Sequence, residues 1–258
     1  MQLVDIGANL THASFRDDLD AVLARAHEHG VGTIVVTGSA VEESRRAAAL
    51  AESHGLYATA GVHPHHARDC DAQTIPALRE IAAHPRIVAI GECGLDYNRN
   101  YSPHPDQERW LVAQLELAAE LGKPLFLHSR DAHPRFAEIL RNLRVGKAVA
   151  HCFTGEADEL HAYLDLDLYI GITGWICDER RGRHLVALVK EIPQDRLLLE
   201  TDAPYLTPRD LQPQPKARRN EPAYLPHILR AVARARGEAP EALAAATTRN
   251  AKAFFGIA

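Results

Sequence analysis

The chain has 258 residues, 46% of them hydrophobic and 24% charged, which is enough for one sizeable core and close to the roughly 250 residues of a single βα barrel. A net charge of −5 excludes the basic coat that non-specific duplex binding needs, but not a nucleic-acid substrate held a few nucleotides at a time. Cys70, Cys93, Cys152 and Cys177 form no C-x-x-C pair and are too few to staple the chain, so reduced thiols and a cytoplasmic location are expected; the opening MQLVDIGANL carries no export or membrane signal.

Short β-branched or apolar runs alternate with longer amphipathic stretches rich in Ala, Glu and Arg. The runs at 3–7, 33–37, 57–62, 87–91, 124–128, 147–151, 168–172 and 196–200 predict strands. Between them, helices are predicted over 17–29, 42–54, 107–121, 132–142 and 182–191. A Pro-rich connection, TPRDLQPQPKARRNEP, then leads to helices over 224–236 and 240–255. With no linker, repeat or low-complexity tract, residues 1–258 read as one domain. Strands alternating with helices imply parallel pairing and right-handed crossovers. A doubly wound open sheet would normally carry a G-x-G-x-x-G loop after its first strand, where this chain has GANLTHASF. The expected fold is therefore α/β, a single (β/α)8 TIM barrel.

Glu92, His128, His151 and Asp202 each close a short apolar run: IVAIGE, KPLFLH, KAVAH and RLLLETD. Side chains at the C-terminal ends of barrel strands converge on one mouth, so two imidazoles and two carboxylates arriving there predict a metal site with a general base. A lone strand-end histidine is more often a hydrogen-bonded structural residue, but two aligned with a glutamate change that balance. Asp202 has a second reading as a cap on the loop after strand eight; as a base it would take a proton from metal-bound water. Cys93 and Cys152 follow Glu92 and His151 directly, and are expected to pack rather than act as nucleophiles. His27, His29, His54, His84, His161, His184 and His227 are expected to be solvated.

The segments GVHPHH, IGECGLDYNRN, LHSRDAH, HCFTG, YIGITGW, ETDAPYL and RRNEPAYLPHI, spread over nearly the whole chain, resemble the signature blocks of the TatD family of metal-dependent nucleases, within the amidohydrolase-like barrels. The resemblance is to the branch described as a 3′-to-5′ exonuclease on single-stranded DNA and RNA. It implies a divalent ion, Mg²⁺ first with Mn²⁺ or Zn²⁺ as alternatives, held by Glu92, His128 and His151, with Asp202 as ligand or catalytic aspartate and Glu92 counted in the catalytic set. His63, His65, Trp175, Arg219 and Asn220 fall in its blocks at substrate-facing positions. It also implies 3′ ends as the substrate, a role in repair or turnover, and neither a membrane nor an obligatory protein partner. Arg99, Arg130 and Arg218 join Arg219 as candidate phosphate clamps; Tyr97, Phe153 and Tyr205 join Trp175 as candidate stacking residues. The alternatives are hydrolysis of a C–N or ester bond in a small substrate, and a binding barrel that has lost catalysis. One departure stands at the start: many relatives open with D-x-H-x-H, where this chain has Asp5, Gly7 and Asn9. A second ion is therefore expected to bind weakly, and Gly7→His with Asn9→His to strengthen its site.

Overall fold

A computed structural model describes residues 2–215 and 218–258. Its eight strands are β1 (Leu3–Ala8), β2 (Val31–Val36), β3 (Tyr57–Ala60), β4 (Ile87–Asp96), β5 (Leu125–Arg130), β6 (Ala148–Ala150), β7 (Tyr169–Ile172) and β8 (Leu197–Leu199). They pair in sequence order, each parallel to the next. The helices are α1 (Leu19–Glu28), α2 (Val41–His54), α3 (Thr74–Ala82), α4 (His104–Leu121), α5 (His133–Leu143), α6 (Ala157–Asp165), α7 (Arg183–Leu188), α8 (Leu225–Arg236) and α9 (Pro240–Phe255). This is the expected (β/α)8 barrel. The seam between β8 and β1 closes just past the strand ends, where Asp202 N donates to Gly7 O at 2.8 Å and Asn9 N to Ala203 O at 2.6 Å. Buried Asp5 locks the same seam by accepting from Thr201 N at 2.9 Å and Thr201 Oγ1 at 2.6 Å.

The strands read as near-continuous apolar runs because both of their faces are covered. Outside, the apolar faces of the helices pack on the sheet; α4 contributes Leu111, Leu115 and Ala118, and each leucine so buried contributes about 2 kcal/mol. Inside, Val4, Ile6, Val35, Val88, Phe126, Val149 and Leu198 form a separate cluster with Phe254 and Phe255 of α9. Helix α9 covers the N-terminal ends of the strands, and Asn250 Nδ2 ties it there by donating to the carbonyls of Gln194 and Leu197. Chemistry is thereby left to the opposite, C-terminal mouth.

One strand departs from the sequence expectation in a way that matters. β4 runs ten residues, to Asp96, rather than stopping at Gly91. It stays paired with β5 through Gly94 against His128 and Asp96 against Arg130. A Cβ at Gly94 would run into the carbonyl of His128, so glycine permits this close pass. Glu92 and Asp96 thus alternate on one strand and both face inward.

Candidate metal and substrate site

His63, His65, His128 and His151 meet around Glu92 and Asp96 at the mouth, and their surroundings set different roles. His63 follows β3 and caps the 3₁₀ turn Pro64–Asp69, its Nδ1 accepting from His65 N at 3.1 Å. The proton must then sit on Nε2, which points at Glu92 Oε1 from 3.2 Å. His151, after β6, is arranged the other way. Its Nδ1 lies 3.3 Å from buried Glu200 and its Nε2 donates to Glu92 Oε1 at 2.8 Å, so each ring nitrogen faces a carboxylate. His128 on β5 places Nδ1 3.1 Å from the same oxygen, while its buried Nε2 has no hydrogen-bond partner, Asp96 Oδ2 being 3.6 Å away. His65 pairs with that Asp96 oxygen at 2.7 Å.

Electrostatics follow this geometry. Burial pushes the Glu92 carboxyl up, but His63 and His151, with hydrogen bonds from His128 and His151, outweigh it and hold Glu92 well below the usual carboxylate range. Burial lowers His63 to about 4, so its ring is neutral. For His151 burial is overcome by Glu92 and Glu200, which raise it well above the ordinary imidazole value. Asp202, just past β8, is raised to about 7 by burial, against the pull of His151. Its φ of 54° lies in the left-handed region, a cost accepted at few non-glycine positions and characteristic of functional sites. Asn9 Nδ2 fixes one of its oxygens at 2.9 Å.

Two groupings of metal donors compete. By proximity alone, His63, Glu92 and His128 offer ligand atoms within 4.8 Å of one another. Tautomers favour a different third member. His63 Nε2 must keep its proton while Nδ1 accepts from the backbone, whereas His151 has Glu200 behind Nδ1 to hold a proton there, so that an ion can take the place of the proton on Nε2, the usual arrangement of a ligating histidine. Glu92, His128 and His151 therefore make the better donor set, with Asp202 beside it and His63 as a hydrogen-bond donor. The orphaned Nε2 of His128 next to Asp96 fits a site built for a cation.

These groups floor a cavity of about 880 Å³ lined also by His65, Arg99, Tyr101, Arg130, Trp175, Arg181, Tyr205 and Arg218. The size suits a small ligand or a few nucleotides. Trp175 is one wall, with the Arg181 guanidinium 5.8 Å from its ring centre. Arg219 and Asn220, expected at the mouth, do not reach it. The guanidinium of Arg219 grips Asp18 at 2.7 and 2.8 Å, and Asn220 is buried, donating to the carbonyls of Thr201 and Tyr205. Tyr97 bonds Glu108 and stacks on His104, and Phe153 packs in the core. Cys152, expected to pack, lines the cavity; burial and the charges of Asp202 and Glu200 hold its thiol protonated, so it is no nucleophile. Cys93 is buried.

The structure works against one expectation. A Cβ on Gly7 would sit 2.5 Å from Glu200 Oε2 and 2.9 Å from the Phe126 ring, so Gly7→His rebuilds a histidine pair only by displacing Glu200 from the space it occupies. Glu200, Asp96 and Tyr101 stand against the site histidines without being among the residues expected there. Glu200 stands two residues before Asp202, and Asp96 four after Glu92, even spacings that place each on the inner face of its strand once the strand is extended far enough.

A family model described as TatD related DNase matches residues 4–256. The chain belongs to the TatD family. A curated relative from Escherichia coli (strain K12), named 3′-5′ ssDNA/RNA exonuclease TatD, is 52% identical over 259 residues, covering 99% of this chain and 100% of the relative. Among solved structures, a TatD family hydrolase from Entamoeba histolytica superposes with a TM-score of 0.91 at 25% identity, over 99% of this chain and 98% of that one. A TatD homologue from Escherichia coli K12 gives 0.89 at 29% identity, over 99% and 98%.

Proposed function

We infer that this TatD-family protein is a hydrolase that removes nucleotides from the 3′ ends of single-stranded DNA and RNA with the help of a divalent ion. The observation that carries the chemistry is the convergence of His128 Nδ1 and His151 Nε2 on one oxygen of Glu92, beside an orphaned imidazole nitrogen, on the floor of a cavity edged by arginines. Polarity and substrate rest on the name of the 52% identical relative.

Glu92, His128 and His151 would hold the ion, with Asp202 close by. When bound it supplies positive charge to the non-bridging phosphate oxygens and lowers the pKa of water. Two imidazoles in the set suit Mn²⁺ or Zn²⁺ better than Mg²⁺, which prefers oxygen ligands. Asp202, held by Asn9, accepts the proton of the attacking water. His63 Nε2 faces Glu92 and His65 Nε2 faces Asp96, and both rings line the cavity, where a phosphate oxygen entering from the β3 side would compete with those carboxylates for their N–H groups. Arg99, Arg130, Arg181 and Arg218 neutralise the backbone, and Trp175 and Tyr205 offer faces for unpaired bases.

The test uses single strands labelled at either end, incubated with Mg²⁺, Mn²⁺ or Zn²⁺. A 3′ label should leave first as mononucleotide, a 5′-labelled strand should shorten stepwise, and a chelator should stop both. Blunt duplex should react more slowly, since an acidic chain attracts it little and stacking needs free bases. Loss of the 5′ label first, equal rates on blunt duplex, or hydrolysis of a small amide instead would each contradict the reading. Work on nucleic-acid ends in repair or turnover, in the cytoplasm, completes the proposal. Its support is four free cysteines, and no helix among the described residues is long and apolar enough to cross a membrane. Cell fractionation that finds the protein elsewhere would overturn the location.

A further inference from the structure

Behind the Trp175 wall, three potential ligands meet from three separate segments. Cys177 ends the 3₁₀ turn Gly174–Cys177 that follows β7, Asp210 lies in the long connection after β8, and His227 stands in the first turn of α8. His227 Nε2 is 2.6 Å from Asp210 Oδ1, and the thiol sulfur, the imidazole nitrogen and the carboxylate oxygen all lie within 4.8 Å of one another. None of the three lines the mouth cavity. His227, expected from sequence to be solvated, has a side chain only 17% exposed, and Cys177 is 6% exposed.

We propose that Cys177, Asp210 and His227 form a second metal site, specific for Zn²⁺ or a similarly thiophilic divalent ion, that ties two walls of the active-site mouth together. Thiolate, imidazole and carboxylate are the three ligand types of tetrahedral zinc, and a thiolate selects against Mg²⁺ and Ca²⁺. With ordinary Zn–S and Zn–N or Zn–O bonds, a tetrahedron has edges of about 3.3–3.6 Å. Closing on an ion from the observed spacing therefore takes side-chain shifts of roughly an ångström, leaving the fourth position to water. As the ion binds, the thiol proton passes to solvent and His227 takes the Nδ1 tautomer, so that Nε2, now bonded through its proton to Asp210, turns a lone pair to the ion. Arg234 opposes the ion, but its guanidinium lies 4.0 Å from the other oxygen of Asp210, Oδ2, and its side chain is 64% exposed. Cys177 shares its turn with Trp175, and Asp210 belongs to the connection that carries Asp202 and Tyr205. An ion here would fix the stacking wall relative to the catalytic aspartate.

Cobalt reads this site without reference to activity, because a bound thiolate gives Co²⁺ a near-ultraviolet charge-transfer band that nitrogen and oxygen ligands do not. Metal-stripped full-length protein titrated with Co²⁺ should develop that band, reaching at saturation the intensity of one thiolate-bound cobalt per chain, with the mouth free to take a second ion that adds no such band. The band should vanish in Cys177→Ser and in His227→Ala, and persist in Cys152→Ser and Glu92→Gln, which alter the mouth. If Cys177→Ser fails to fold, His227→Ala, at the partly exposed start of a helix, gives the same readout. Absence of the band in the native protein, its survival in either Cys177→Ser or His227→Ala, or its loss in Cys152→Ser would overturn the proposal, leaving the three residues as a hydrogen-bonded cluster.

Discussion

At Glu92, burial and the surrounding imidazoles pull in opposite directions, and the imidazoles win. Glu92→Gln keeps the shape but removes the charge that aligns His128 and His151, so metal affinity and hydrolysis should fall together; calorimetry showing unchanged affinity would remove Glu92 from the ligand set. Asp202→Asn should separate the two readouts, keeping most metal affinity while losing on the order of 10²–10⁴ in rate. Loss of the ion in that variant would make Asp202 a ligand instead. Glu159, half-buried beside the mouth among Asp158, Asp131 and Glu156, is raised to about 7, first by burial and then by these charges. Because its folded value lies above the unfolded one, its contribution to stability is full below about 4.5 and is lost as pH rises through about 7. Glu159→Gln should therefore gain on the native protein at pH 8 relative to pH 5, by about 1 kcal/mol after allowing for solvent screening, or a few degrees in Tm. Parallel melting curves that keep the same gap at both pH values would contradict it. The placing of Glu92, His128, His151 and Asp202 at the mouth is legible because each ends an apolar run; that of Glu200 and Asp96 is not, because Glu200 sits inside RLLLETD and Asp96 lies beyond the apolar part of β4.

Among the elements, the turn Gly174–Cys177 and the connection after β8 supply one wall of the cavity, where binding and scaffolding roles can be told apart. Trp175→Ala should raise KM more than it lowers kcat, by roughly tenfold for a stacking contact of about 1–3 kcal/mol; an unchanged KM would return Trp175 to packing. Asn220→Ala should behave in the opposite sense. It leaves the buried carbonyl of Thr201 and the part-buried one of Tyr205 without this donor, a cost of about 1–3 kcal/mol for the buried group, so Tm should drop while the KM of the folded fraction stays put. A selective rise in KM would restore Asn220 to the substrate site. Sequence spacing could not decide this: RRNEP supplies adjacent arginines, yet among the described residues Arg218 lines the cavity and Arg219 is turned back onto Asp18. Which of two neighbours faces the mouth depends on loop geometry that no period encodes. Strand alternation, by contrast, was readable wherever strand length was, and β4 shows the dependence: extending it from Gly91 to Asp96 brings a second inner-face carboxylate into view.

For the whole molecule, the division of labour between the two ends of the barrel explains why the fold was the more legible part. Eight apolar runs, each followed by an amphipathic stretch, leave few ways to bury both faces of a parallel sheet, and the closed barrel is the one that also gathers polar strand ends. The N-terminal end is sealed by α9, so Phe254→Ala should cost about 3–5 kcal/mol and lower Tm by roughly ten degrees without changing metal affinity at the far end. A change in affinity equal to that of a mouth variant would show that the ends are coupled. The absent D-x-H-x-H pair was also visible in the sequence, but its consequence was not: only the structure shows Glu200 filling the space beside Gly7. On the proposed reading, Glu92, His128 and His151 hold the ion on which hydrolysis depends. An anomalous difference map from crystals of the protein soaked in Mn²⁺ should then show a strong peak within bonding distance of Glu92 Oε1 and the facing nitrogens of His128 and His151; a fully occupied peak elsewhere, with those two rings still hydrogen-bonded to Glu92, would remove these residues from the ligand set.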